Sequence, residues 1–262
     1  MNRNEPLPLD IRLMDRATVL LLVMLGIFAA VAGARWLSSR SVFAVQSIAV
    51  LGDVTHTNVP TVRAHVVSRV KGTFFTVDLG QTRTVFEAMP WVRSAVVHRD
   101  FPNRLRVNLE EHKAVAFWGS ESEPRLLNSF GEVFDANLGE VEQDQLPRLA
   151  GPNGQGSVVL KTYHLVEPLF SRIDIPLASM ELTGKGSWRV VLATGAAIEL
   201  GRGSSEEVAV RAERFLKTLT QVAVRYARPL SALESADLRH ENGYAIRLRG
   251  VTTLTDMASK KQ

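Results

Sequence analysis

Residues Ala17–Ala34 read ATVLLLVMLGIFAAVAGA and lie between Arg16 and Arg35 without a charge. A helix over this run is about 27 Å long, close to the hydrocarbon thickness of a bilayer. Each Val, Leu, Ile or Phe near its centre favours insertion by roughly 0.3–0.6 kcal/mol. Trp36 follows at once and suits the lipid–water interface. Two readings fit: a retained anchor, and a cleaved signal peptide ending at the small-x-small triplet Ala32-Gly33-Ala34. Signal h-regions are usually shorter, so the anchor is the expectation. Arg3, Arg12 and Arg16 precede it and Arg35 and Arg40 follow, a narrow positive-inside vote for a cytoplasmic N-terminus.

Beyond the anchor the chain is long enough to bury one or two cores. Net charge is +4 with acids and bases interspersed, and no basic stripe carries interleaved aromatics, so the composition is not that of a nucleic-acid binder. The chain has no cysteine, which removes disulfides, thiolate metal sites and a cysteine nucleophile.

Ser38–Ser41 is a polar joint. Phe43–Leu51 alternates as a strand closed by Gly52-Asp53. Pro60 opens a helix with Val62, Val66, Val67 and Val70 on one stripe, and Lys71-Gly72 stops it. Thr73–Leu79 fits a strand or a loop. Gln81–Met89 reads as a second helix ended by Pro90, and Trp91–Arg99 and Leu105–Leu109 alternate as strands around the turn Phe101-Pro102-Asn103. The order β-α-α-β-β makes a small α+β unit.

Val115–Trp118 and Arg125–Leu127 are short strands, and Gly139–Gln145 is an acidic loop. Gly151–Gly156 reads as a flexible connection, since it lacks the Lys-Ser/Thr of a P-loop. Val158–Ile173 carries apolar residues at helical spacing. Ala178–Leu182, Trp188–Leu192 and Ala197–Leu200 form an antiparallel meander through glycine turns. Ser204 is an N-cap for a helix running to Tyr226, whose Arg214, Lys217 and Arg225 suit a solvated face or anionic lipid. Ala236–His240 and Tyr244–Leu248 are strands across Glu241-Asn242-Gly243, because Asn-Gly tolerates the positive φ of a hairpin turn.

Catalytic patterns are missing from the sequence. The six histidines show no metal-ligand spacing, no Gly-x-Ser-x-Gly elbow occurs, and Glu110-Glu111 point to opposite faces of a strand. Neither a metal nor a cofactor is expected, nor is an enzyme. What remains is binding. If Tyr244–Leu248 ends the sheet, one side of its backbone is unpaired. Arg247 and Arg249 then either guard that edge or select an acidic strand that adds to it.

Several motifs occur in one order: Phe43…Val50-x-Gly52, Pro90-Trp91-Val92, Phe101-Pro102-Asn103-Arg104-Leu105, Glu111-His112-Lys113 with Ala116-x-Trp118, and Leu127-Asn128-x-x-Gly131-x-Val133-Phe134. With the anchor they resemble the bacterial cell-division family FtsQ/DivIB. The resemblance implies an α+β chain: a single N-terminal transmembrane helix, a POTRA domain (β-α-α-β-β), and a mixed β-rich domain with flanking helices. Its divisions fall at 1–16 (cytoplasmic tail), 17–37 (transmembrane helix), 38–42 (linker), 43–112 (POTRA), 113–249 (β domain) and 250–262 (disordered tail).

The resemblance further implies a non-catalytic divisome scaffold in the inner membrane, with its bulk in the periplasm at the division septum. Such a scaffold holds FtsB and FtsL, contacts FtsK, links early to late division proteins and helps control septal peptidoglycan synthesis. A strand of FtsB is expected to pair with the last strand. The matching residues are Arg239, His240, Glu241, Asn242, Gly243, Tyr244, Ala245, Ile246, Arg247 and Leu248, with Lys185 near a basic contact position. His240 and Leu248 stand where other members carry aromatics. Val97, Arg99 and Glu111 fall at positions tied to upstream partners. The alternatives are a POTRA-containing envelope assembly or secretion module, which usually has several such units and a barrel, and a cell-wall enzyme.

Overall fold

The computed structural model describes residues 9–38, 40–57, 59–66, 69–70, 72–141, 146–240 and 243–251. Expectations for Val67, Lys71, Glu241, Asn242, most of the acidic loop and the last eleven residues lie outside them. The chain divides into two compact units, Met1–Glu111 and His112–Gln262.

The first unit begins with helix α1, Leu9–Ser38, which contains a 24-residue segment, Met14–Leu37, long and apolar enough to cross a membrane. The helix starts before the apolar run, at Leu9, within the stretch expected as a cytoplasmic tail. Adding a residue to an existing helix fixes one residue per hydrogen bond and needs no new nucleus.

After a 3-10 turn at Ser41–Phe43 come β1 (Ser47–Asp53), α2 (Val59–Val66), α3 (Leu79–Glu87), β2 (Val92–Asp100) and β3 (Arg104–Glu111). The sheet order is β1-β3-β2, with β1 parallel and β2 antiparallel to β3. The central β3 alternates as its sequence predicts: Leu105, Val107 and Leu109 are buried and Arg106 and Asn108 exposed. Val107 and Leu109 meet Val66, Phe86, Met89, Val92 and Ala95 in one core. Burying a side chain such as Phe86 contributes about 1.5–3 kcal/mol. Asp78 caps α3 by accepting the Gln81 N–H at 3.0 Å. Thr73–Asp78 is a turn with one bridge, Ala44 to Thr73, and not a strand, and Leu79 already opens α3.

The described residues of the second unit form one nine-stranded sheet with two α-helices. Its elements are β4 (Ala114–Trp118), β5 (Arg125–Asn128), β6 (Val133–Phe134), β7 (Arg148–Ala150), α4 (Gly156–Ser171), β8 (Leu177–Leu182), β9 (Ser187–Leu192), β10 (Ala197–Arg202), α5 (Ser205–Arg225), β11 (Leu233–Asp237) and β12 (Ala245–Leu248). Among the described residues the order is β12-β11-β10-β9-β8-β7-β4-β5-β6. The meander β8-β9-β10 is antiparallel, as its turns predict. Helix α5 then carries the chain across so that β11 lies parallel to β10.

Alternation places Trp188, Val190, Leu192, Ile198 and Leu200 in a core with Val159, Val166 and Phe170 of α4 and Val208, Ala212, Phe215 and Leu219 of α5. The two helices are tied by a buried hydroxyl pair, Thr162 Oγ1 to Ser205 Oγ at 2.7 Å, so neither polar group is left unsatisfied. Gly156 is not part of a flexible connection. It is the buried first residue of α4, and a Cβ there would sit 2.4 Å from the Gly131 carbonyl oxygen. Glycine is needed for this approach of two backbones.

Candidate functional site

The last strand lies at the margin of the larger sheet. Its register on β11 is Leu233↔Leu248, Ser235↔Arg247, Ala236↔Ile246 and Asp237↔Ala245, with an irregularity between Leu233 and Ser235. The Arg249 N–H donates to the Ala232 carbonyl at 2.7 Å, towards β11. By the two-residue period of a strand, Arg247 and Ala245 also turn their backbone groups towards β11. Ile246 and Leu248 therefore turn theirs away from it. The Leu248 carbonyl accepts the Val251 N–H at 3.2 Å. Ile246 thus presents its N–H and C=O at the open margin, with no further strand beside β12 among the described residues.

The side chains of β12 alternate too. Leu248 is buried and Ile246 half-buried against the core, while Ala245 and Arg247 face solvent. Arg247 and Arg249 both reach Glu234, each with Nε at 3.8 Å from one of its carboxylate oxygens. These long, exposed pairs leave both arginines available to an added chain.

The two strands expected across Glu241-Asn242-Gly243 do pair antiparallel, but their connection is longer than the expected turn. Strand β11 is Leu233–Asp237, three residues earlier than expected, and 238–244 connects it to β12. Two interactions end the strand. Leu238 is buried and donates its N–H to the Glu199 carbonyl at 2.8 Å, and Arg239 folds back on Asp237. The Arg239 guanidinium holds the Asp237 carboxyl down at about 2, against some opposition from burial. Glu241 and Asn242 lie outside the described residues, and His240 and Gly243 flank them.

A groove of about 740 Å³ runs between α5 and this connection, lined by Arg211, Arg214, Phe215, Leu238, Arg239 and Tyr244 among others. Tyr244 stands edge-on to Phe215 at 5.1 Å. The contribution of α5 here was not legible in the sequence. The only signal was the pair Arg211 and Arg214, three apart beside an apolar face.

Lys185 is exposed in the turn joining β8 to β9. It lies at the same end of the sheet as 238–244, but β10 and β11 stand between it and β12. A charged row crosses this region in register, exposed at Glu181 on β8 and Arg189 on β9 and half-buried at Glu199 on β10 and Asp237 on β11. Arg189 binds Glu199 with Nε at 2.6 Å from Oε1.

The remaining sequence-marked residues belong to the first unit. Val97 is half-buried against its core. Arg99 donates from Nε to the Phe74 carbonyl at 2.7 Å and from Nη2 to the Val77 carbonyl at 2.8 Å. Glu111 accepts the backbone N–H groups of Thr55, His56 and Thr57 at 2.9, 3.0 and 2.7 Å, and its side chain is only 6% exposed.

This architecture, a helix able to span a membrane, a three-stranded unit with two helices and a mixed sheet with an open margin, defines a single-pass membrane protein carrying a POTRA domain. Residues 43–112 match the model of the POTRA domain, FtsQ-type, and residues 116–239 that of cell division protein FtsQ/DivIB, C-terminal. The chain is 39% identical over 254 residues to the cell division protein FtsQ of Burkholderia pseudomallei, covering 97% of this chain and 99% of that one. It is 35% identical to that of Thiomonas arsenitoxydans (94% and 90% covered) and 26% identical to that of Neisseria meningitidis (89% and 94%). The chain belongs to the FtsQ/DivIB family of cell division proteins, whose names denote a role in the divisome and not an enzyme.

Proposed function

We propose that this protein is a non-catalytic scaffold of the divisome that captures the FtsB–FtsL pair by adding a strand of FtsB to β12. On this reading the N-terminus is cytoplasmic and the bulk, a POTRA domain over 43–112 and a β domain over 113–249, is periplasmic at the septum. It links earlier proteins such as FtsK to the later ones that control septal peptidoglycan synthesis.

The observation that carries the reading is the outward N–H and C=O of Ile246 on the terminal strand. Strand addition takes its affinity from such main-chain groups and its specificity from alternate side chains. Arg247 and Arg249 favour an acidic partner by charge complementarity.

The test is Ile246→Pro in the full chain. Proline removes the outward N–H, while the bonds of Ala245 and Arg247 to β11 do not depend on that group. Co-purification of co-expressed FtsB–FtsL is expected to be lost, with membrane insertion and helix content kept. Undiminished co-purification by a folded variant overturns the proposal.

A further inference from the structure

We propose that the tip of the first unit nearest α1 is a lipid-seated foot: Phe75, Phe101 and Val42 rest in the lipid–water interface beside the point where the helix leaves the bilayer. Val42, Phe75 and Phe101 are 71%, 49% and 68% exposed. Phe75 and Phe101 belong to one cluster with Phe43 and Phe74, and Val42 precedes Phe43 in the chain. Ring centroids lie 5.1 Å apart for Phe43–Phe75, 5.2 Å for Phe74–Phe75 and 5.8 Å for Phe74–Phe101. A contiguous exposed aromatic patch calls for an occupant.

The chain itself specifies that occupant. Val31, Ala34 and Leu37, in the last turns of the membrane-crossing segment, line one cleft with Phe43 and Phe75. The connection from α1 is short and coiled: the Arg40 N–H donates to the Leu37 carbonyl at 3.2 Å, and the Phe43 N–H to the Arg40 carbonyl at 3.0 Å. Side chains beside the end of a membrane span lie at headgroup depth, where aromatic rings are favoured. Arg40 packs its guanidinium 3.5 Å from the Trp36 ring centroid, and exposed Arg104 flanks the Phe101 turn. Both suit anionic headgroups.

The foot is held rigidly. The Phe74 N–H donates to the Phe43 carbonyl at 2.6 Å, and Arg99 ties the Phe74 and Val77 carbonyls to β2. The Gln46 N–H donates to the Asn103 carbonyl at 2.9 Å, bringing the β2–β3 turn to the same end as the start of β1. The three segments that carry the aromatics are thereby fastened to one another.

The absence of cysteine makes the test direct. The full chain carrying Phe75→Cys, Phe101→Cys or, as a control on the exposed face of β3, Asn108→Cys is labelled with an environment-sensitive fluorophore. Each is placed in nanodiscs of phosphatidylethanolamine and phosphatidylglycerol that contain a lipid with a nitroxide near its headgroup. Strong quenching at 75 and 101 with little at 108 is expected. Adding Phe101→Asp is expected to abolish quenching at 75, which separates docking by the foot from insertion driven by the label. Equal quenching at 101 and 108 overturns the proposal, as does quenching at 75 that survives the aspartate. A probe at 101 shielded from aqueous iodide yet unquenched by lipid marks a protein occupant and also overturns it.

Discussion

Arg239 turns back on Asp237, with Nε 2.9 Å from Oδ1 and 3.0 Å from Oδ2 of a carboxylate only two residues earlier. This clamp helps to end β11 and aims the connection to the marginal strand. The Asp237 carboxyl lies at about 2 against an ordinary 3.8. A lowered pKa means that the clamp's contribution is complete above the ordinary value and is lost as pH falls through the lowered one. Followed by carbon-13 NMR, the Asp237 carboxyl should titrate at about 2 and return towards the ordinary range in Arg239→Ala. An unchanged midpoint in that variant would remove the clamp as the cause.

Glu111 secures the segment after β1 through three backbone donors. Burial alone would raise its pKa, but the hydrogen bonds from Thr57, His56 and Thr55 outweigh it and hold the group below its ordinary value of 4.5. Its stabilisation is present above that value and fades as pH drops further. Glu111→Gln places an amide donor against N–H groups and should destabilise the first unit by about 1–3 kcal/mol. Amide exchange at Thr55–Thr57 should accelerate while that of β9 and β10 stays the same.

Gly131 has φ of 79°, and a Cβ on it would lie 2.3 Å from the Ser157 Cα. Gly131→Ala combines left-handed strain with a backbone clash, together about 2–5 kcal/mol. Denaturant unfolding should show this loss in the second unit. Gly154→Ala shares the positive φ but has open space around it, so its loss should be smaller.

Ser204 and Glu207 form a reciprocal cap on α5, Glu207 N–H to Ser204 Oγ at 3.2 Å and Ser204 N–H to Glu207 Oε2 at 2.8 Å. Ser204→Ala should cost about 1 kcal/mol. Ser204→Asp, which keeps an acceptor, should cost less, as thermal unfolding followed by circular dichroism can check.

The sequence by itself determined the local elements. The charge-free run of α1, the alternation of β2, β3 and β8–β10, and the Ser204 cap all rest on interactions within a few residues, which composition and spacing record. The strand at Tyr244–Leu248 was also legible, because Tyr244, Ile246 and Leu248 alternate with Ala245 and Arg247. Long-range pairing was decided only in the tertiary structure. Parallel β11 takes its register from Ile198 and Glu199 on β10, so it ends at Asp237 despite the hairpin signal at Asn242-Gly243. The same holds for Glu111 and Arg99, whose donors and acceptors are 54 to 56 and 22 to 25 residues away. It holds for Gly156, where a helix start requires glycine because the Gly131 carbonyl lies against it. A backbone group's partner across such distances follows from how the layers stack, and that depends on every buried side chain at once.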